Sequence, residues 1–412
     1  MKFAKYLCKF DRGDKWLIYN AYTNKAIIIN KELFNVPEMI DDNVLNSLKK
    51  DFFILPDSFN ELEIIRQILS KKIHDKFSVV YIPTFKCNLK CDYCYQQYNN
   101  YHNENSISYY DVVKWIANNI SINTKEVNIQ FYGGEPLLEK ELIFNFLDKL
   151  GVEIGKEKLC ICMCTNGFYL TKEFLFTLER KCRISEIQLT VHDFDKNPNN
   201  YHMTVIKNIR EIILENKWIL TLKFDINCEN GNKILDFLLL LNIKVGYSIT
   251  IAPILDCGSH SAIKLCEEDN MAIILDIQRQ LIDMDYKVNK RNSYICHLLI
   301  NPDAFVIDPQ GYIYKCDSMA GTKEFAIGSI REYKVNSSLI NLKETYLLDL
   351  WNQPDECFEC DVMPMCMGNC RYRNKFNSRN AKVCYREMIK SQLLEEIEKK
   401  DRYYHYYRER ST

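Results

Sequence analysis

The sequence predicts an α/β fold: a parallel sheet of six strands covered by helices, with a small domain before it and a cysteine-rich region after it. Three observations carry the prediction. From Phe77 to about Met284, apolar strand-like runs alternate with amphipathic helical stretches at short spacing. Three cysteines crowd the loop that follows the first of those runs, and seven more gather beyond residue 295. A chain of 412 residues is long enough for two or three domains with full cores.

Composition narrows the class. Apolar content of 47% and charged content of 26% are ordinary for a globular protein, and a formal net charge of −1 gives no electrostatic reason for a nucleic acid or membrane partner. The opening Met1-Lys2-Phe3-Ala4-Lys5-Tyr6 lacks an apolar signal core, and no apolar run approaches membrane-spanning length. A cytoplasmic protein is expected. Eighteen cysteines in such a compartment do not read as a disulfide framework, which leaves metal ligation for the clustered ones.

Element by element, residues 1–76 read as a separate domain. Strand-like Trp16 to Tyr19 and Ala26 to Ile29 are followed by helical stretches at Asp42 to Lys50 and Asn60 to Ser70, with the short strand Phe52 to Leu55 between them. In residues 77–285, strands are expected at 77–82, 126–132, 158–164, 185–191, 219–227 and 245–252. The clearest helices between them are Ile107 to Ile120, Lys140 to Leu150 and Tyr201 to Asn216. Chemistry in such sheets gathers where loops leave the carboxyl ends of strands. There the sequence places Cys87, Cys91 and Cys94 after strand one, Gly133-Gly134-Glu135-Pro136 after strand two and Thr165-Asn166-Gly167 after strand three. Residues 286–412 form the cysteine-rich region.

Three soft thiolates on one tight loop suit three corners of a four-iron cubane, whose fourth iron is then open to another ligand. Half of a zinc site is the competing reading, although zinc sites usually pair cysteines at shorter, two-plus-two spacing. The spacing Cys87-x3-Cys91-x2-Cys94, with Tyr93 before the last cysteine, resembles the signature of the radical S-adenosylmethionine (SAM) superfamily. Downstream, Cys296, Cys316, Cys357, Cys360, Cys366, Cys370 and Cys384 are spaced as in the SPASM domain of its peptide-modifying members.

The resemblance implies a partial (β/α)6 radical SAM barrel, a leader-peptide-binding winged-helix-like domain before it and a SPASM domain after it. It implies SAM and three [4Fe-4S] clusters as cofactors. Gly133, Gly134 and Glu135 would hold the SAM amino group, and Tyr93 would lie near the adenine. Thr165, Asn166 and Thr190 would line the pocket, and Asn227 would contact the ribose. Cys357, Cys360, Cys366 and Cys384 would hold one auxiliary cluster, and Cys296, Cys316 and Cys370 another. That second set is one ligand short, so either a residue such as Cys257 or Cys266 completes it or one iron is open. Asp317 matches a carboxylate that sulfatase-maturing relatives use as a base. Thr190-Val191-His192-Asp193 departs from the common Ser-Leu-Asp-Gly run, and the arginine often found soon afterwards has no counterpart.

The implied activity is reductive cleavage of SAM to a 5'-deoxyadenosyl radical that modifies a ribosomally made peptide by a thioether or another crosslink. Its partners would be the precursor peptide and an electron donor such as ferredoxin or flavodoxin. Conversion of a sulfatase cysteine or serine to formylglycine is the second reading, and a non-catalytic iron-sulfur or zinc scaffold the third. Cys160, Cys162 and Cys164, on one face of a strand by alternation, read as buried small side chains.

Overall fold

A computed structural model describes residues 1–63, 75–98, 106–192, 201–226, 230–231, 233–254, 267–289, 296, 298, 301–331, 355–367 and 384–408. The chain divides into two compact units: Met1–Lys72 with Arg291–Cys296 and Leu347–Thr412, and Ile73–Lys290 with His297–Tyr346.

In the first unit, β1 (Lys2–Phe3) pairs with β5 (Ile54–Leu55), while β2 (Leu7–Arg12), β3 (Lys15–Asn20) and β4 (Lys25–Asn30) form an antiparallel meander. The turn between β3 and β4 closes on Asn24 at φ 56°, a left-handed position that asparagine tolerates. Helix α1 (Asp42–Lys50) starts where Asp41 accepts from the Asn43 amide and ends with Lys49 and Lys50, which complement the helix dipole. Leu7, Ile18, Leu45, Leu48, Phe53 and Ile54 pack into one core. The expected strands at Trp16 to Tyr19 and Ala26 to Ile29 are present but longer, the one at Phe52 to Leu55 is shortened to β5, and β1 and β2 are added; the run Leu-Cys-Lys-Phe-Asp-Arg alternates too weakly to stand out alone. The expected helix Asn60 to Ser70 lies mostly outside the described residues.

The second unit holds β6 (Lys76–Tyr81), α2 (Tyr109–Asn119), β7 (Glu126–Phe131), α3 (Lys140–Ile154), β8 (Leu159–Thr165) and α4 (Lys172–Glu179). It continues through β9 (Arg183–Val191), α5 (Tyr201–Glu215), β10 (Leu220–Ile226), α6 (Lys233–Leu241), β11 (Ser248–Pro253) and α7 (Glu267–Asp283). From β6 to β11 each strand lies parallel to its predecessor in chain order, which makes the six-unit parallel sheet that the sequence predicts. Gly155 (φ 92°) stops α3 and Asn216 (φ 49°) stops α5. Beyond β6 the sheet continues in β12 (Ala304–Ile307), parallel to it, and then in the antiparallel β13 (Tyr312–Tyr314) and β14 (Gly328–Ser329).

Alternation sorts the two faces of this sheet. Val127, Ile129, Phe131, Ile161, Met163, Ile187, Leu189, Leu222 and Phe224 join the helices in one large apolar core. The residues between them point the other way, and they are polar. Gln130 and Gln188 donate to the Cys164 sulfur at 3.2 and 3.6 Å, Thr221 bonds Glu186 and Ser248, and Lys223 pairs with Asp225 at 3.0 Å. Cys160 and Cys164 are buried as expected and Cys162 is half-buried, but Cys164 serves as a hydrogen-bond acceptor on a polar face rather than as apolar filling. No helix among the described residues is long and apolar enough to cross a membrane.

The last described element is α8 (Arg386–Arg408), in the first unit, where Ile389, Leu393 and Ile397 are buried.

Candidate active site

The loop after β6 carries the first three cysteines. Its entrance is fixed by Ile82, whose amide donates to the Ile307 carbonyl at 2.9 Å. Leu89, 4% exposed, plugs the loop into the barrel core, while the Cys94 amide closes a turn on the Cys91 carbonyl at 3.0 Å. Cys87 is exposed, and Cys91 and Cys94 are half-buried. Burial raises the Cys91 thiol pKa, and the charges of Cys94 and Cys87 add to the effect, so the three sulfurs sense one another. Among the described residues no three His, Cys, Asp or Glu side chains meet around one point as they would on a single ion. A cubane asks for something different, with each thiolate on its own iron. In number, softness and loop placement the three thiols fit that group.

Gly133 and Gly134 are explained by what they touch. A Cβ on Gly133, whose φ is 131°, would lie 2.6 Å from the Thr84 carbonyl, and one on Gly134 would lie 2.2 Å from the Lys86 carbonyl. In return the Gly134 amide bonds Thr84 and the Glu135 amide bonds Lys86, at 3.1 and 2.9 Å. The glycine pair therefore lets the β7 loop lie flat against the segment between β6 and Cys87.

Glu135 is fully buried. Its carboxylate accepts from the Leu137 amide at 3.0 Å, the Thr165 hydroxyl at 2.7 Å and the Asn166 amide at 2.8 Å. Burial raises its pKa, and these three bonds oppose the shift without cancelling it. It works as a bolt between the loops after β7 and β8 and offers no surface to a ligand. Glu135→Gln puts an amide hydrogen against a donor; we expect a loss of about 2 kcal/mol, read as a melting temperature lower by several degrees. An unchanged melting temperature would show that the bolt carries no load.

Asn166 extends the linkage to the cysteines. Its side-chain amide donates to Asn88 at 2.8 Å and lies 3.9 Å from the Cys87 sulfur, and its carbonyl accepts from the buried Tyr201 hydroxyl at 2.7 Å. Asn166 thus reaches the cysteine loop and Thr165 reaches Glu135, with Asn88 and Tyr201 as partners that no spacing announced.

On the opposite side, Tyr93 reaches His192 at the end of β9, with 2.6 Å between hydroxyl oxygen and Nδ1. Burial lowers the His192 pKa to about 4, so the imidazole is neutral at pH 7. Thr190 stands opposite Lys223 on β10. Burial works against the Lys223 charge, but the Asp225 carboxylate, with Cys164 and Asp317 farther off, outweighs it and leaves the pKa raised. The Asp317 charge also helps to raise the Tyr132 pKa, after the larger effect of burial, which sets Asp317 over the polar face of the barrel. Tyr95 ties this corner together, donating to the Tyr132 hydroxyl at 3.3 Å and the Asp317 carbonyl at 3.2 Å. Charges two apart in the apolar strand Leu220–Ile226 were the available signal for Lys223 and Asp225.

Asn227, Cys257, Cys266 and Cys370 lie outside the described residues. Cys357, Cys360, Cys366 and Cys384 belong to one unit together with Cys296, whereas Cys316 belongs to the other. The Cys360 amide donates to the Cys357 carbonyl at 3.2 Å, and the Cys384 charge helps to raise the Cys360 thiol pKa, the largest cause being burial.

Residues 81–218 match the profile of the Radical SAM superfamily, a span that contains the cysteine loop, the glycine pair and Thr190. Residues 81–218 of the chain thus resemble a Radical SAM domain, and the chain is an enzyme. It is 24% identical, over 88% of its own length and 84% of the relative's, to the radical SAM cyclopropyl synthase TigE of Paramaledivibacter caminithermalis. Among solved structures it is similar to anSMEcpe with bound AdoMet and the Cp18Cys peptide, at TM-score 0.59 and 16% identity over 78% of this chain and 96% of that one. It is also similar to Streptococcus suis SuiB bound to S-adenosylmethionine, at TM-score 0.52 and 13% identity over 90% and 96%. These two likenesses concern the fold.

Proposed function

We propose that the enzyme is a maturase that crosslinks a ribosomally made precursor peptide, by a thioether or another bond, in the cytoplasm. The observation that carries this reading is the polar inner face, on which Lys223, Asp225, Tyr132 and Asp317 lie beside the cysteine loop. A face polar in this way suits a polar chain such as a peptide better than an apolar small molecule. The names of similar proteins support this reading, because the chain is 24% identical to a cyclopropyl synthase and resembles in fold anSMEcpe with a bound peptide.

Cys87, Cys91 and Cys94 would hold the cluster at which bound SAM would supply the hydrogen-abstracting radical. This chain's residues would orient and enclose it. Backbone at Gly133 and Gly134 would receive the SAM amino group, Tyr93 would flank the adenine, Thr165, Asn166 and Thr190 would line the pocket, and Asn227 would contact the ribose. Asp317 accepts the proton that an oxidised substrate must lose. The cysteines beyond residue 295 hold two auxiliary clusters in a SPASM domain, and the N-terminal sheet recognises the leader part of the peptide. A small electron-transfer protein, ferredoxin or flavodoxin, serves as donor.

Anaerobic reconstitution should give about twelve irons per chain, four for each of three clusters. Incubation with a short precursor peptide, should one be encoded in a neighbouring reading frame, is expected to remove two hydrogens from it per crosslink. An unmodified peptide, together with formation of an aldehyde in a sulfatase substrate, would favour the formylglycine reading that Asp317 also suits. Asp317→Asn is expected to lower peptide modification by about 100-fold while SAM cleavage continues; equal loss of both would remove the base from this account.

A further inference from the structure

We propose that Asp361 and the N-terminal Tyr6 are positioning residues for an iron-sulfur cluster on Cys357, Cys360, Cys366 and Cys384. The proposal rests on the reading that these four cysteines hold a cluster. Three of them lie on one short segment, but Cys384 comes from a separate stretch of chain just before α8. Something must hold the two stretches in register, since a cubane needs all four sulfurs within a few ångströms of its faces.

Asp361 does this from the residue after Cys360. Its carboxylate accepts from Arg386 Nε at 2.7 Å and pairs with Lys390 Nζ at 3.3 Å, and its side chain is only 15% exposed. Arg386 stands two residues after Cys384, so the ion pair ties one ligand stretch to the other. A single exposed pair would add little, but two cations on one largely enclosed carboxylate form a network with fixed geometry. A carboxylate beside thiolates is electrostatically unfavourable unless neutralised. Arg386 and Lys390 bring two positive charges against its one, leaving a net positive charge where an anionic cluster would sit.

The N-terminal strand grips the same segment from the other side. The fully buried Tyr6 donates its hydroxyl hydrogen to the Phe358 carbonyl at 2.9 Å, inside the Cys357–Cys360 turn. The buried Cys8 thiol lies 3.8 Å from the Asp361 carbonyl, Lys5 pairs with Glu359 at 2.6 Å, and the Lys390 ammonium sits 5.7 Å from the centre of the Phe10 ring. The N-terminal domain is therefore part of the housing of these cysteines, in addition to any role in leader recognition.

The test uses the full chain, reconstituted under nitrogen, with iron content, electron paramagnetic resonance of the reduced protein and peptide-independent SAM cleavage as readouts. Asp361→Asn is expected to lose about four irons per chain and one resonance signal while SAM cleavage stays within twofold. Tyr6→Phe, which keeps the ring and removes one hydrogen bond, is expected to keep its iron but release it to a chelator about fivefold faster. A wild-type chain with only about four irons would overturn the auxiliary-cluster reading and this proposal with it. A wild-type chain with more iron, matched by Asp361→Asn in iron and resonance and by Tyr6→Phe in release rate, would overturn the proposal alone.

Discussion

Alanine at any one of Cys87, Cys91 or Cys94 is expected to abolish reductive cleavage of SAM. Removing a partner that merely orients a metal ligand costs about 10- to 100-fold, so loss of a ligand sets a floor of about 100-fold. Among the described residues, Cys160, Cys162 and Cys164 lie along β8 rather than on the loop. The check is 5'-deoxyadenosine formed after reduction, together with iron content. Cleavage that persists in all three variants would mean that the radical is generated elsewhere. Thermal stability should fall only slightly in the same variants, since Cys87 is exposed and its neighbour Leu89 supplies the packing.

Gly134→Ala is expected to be nearly as damaging by a route that touches no ligand. Its new methyl group would meet the Lys86 carbonyl at 2.2 Å and the Phe85 carbonyl at 2.6 Å, both backbone atoms of the segment leading to Cys87. Backbone cannot rotate away as a side chain can, so the β7 loop and the cysteine loop must separate. We expect about 3 kcal/mol of destabilisation, loss of SAM binding and loss of the first cluster. Gly13→Ala is the control: its φ is 75°, but a methyl group there meets nothing within 4 Å. It should cost about 1 kcal/mol of backbone strain and leave SAM cleavage intact. If the two substitutions behaved alike, the close approach at Gly134 would not be what its glycine serves.

The barrel and its cysteine loop were legible because their signals are local. Strand periodicity, short connections and Cys87-x3-Cys91-x2-Cys94 can all be read within a few residues, and the six strands fall within three residues of expectation. The meaning of Glu135 was not legible. Its three donors come from Leu137, Thr165 and Asn166, and only folding shows that they consume the carboxylate. Likewise β12 to β14 are too short for their alternation to register, and they are strands because β6 offers them an edge. The link from Tyr6 to Phe358 joins opposite ends of the chain and has no signature in either.

The pairing of β12 with β6 bears on the order in which the protein is made. Ala304 to Ile307 bond Ser78 to Tyr81, and Ile82 and Ile107 also donate to carbonyls in this late stretch. Until the ribosome has passed residue 309, the strand that feeds the cysteine loop is an open edge, able to pair with another chain. Contacts between such distant parts of a chain form slowly. Cluster loading before that closure would meet a loop whose base is not yet fastened, so iron delivery is best timed to follow translation, and a chain stopped near residue 290 should aggregate rather than fold as a smaller enzyme.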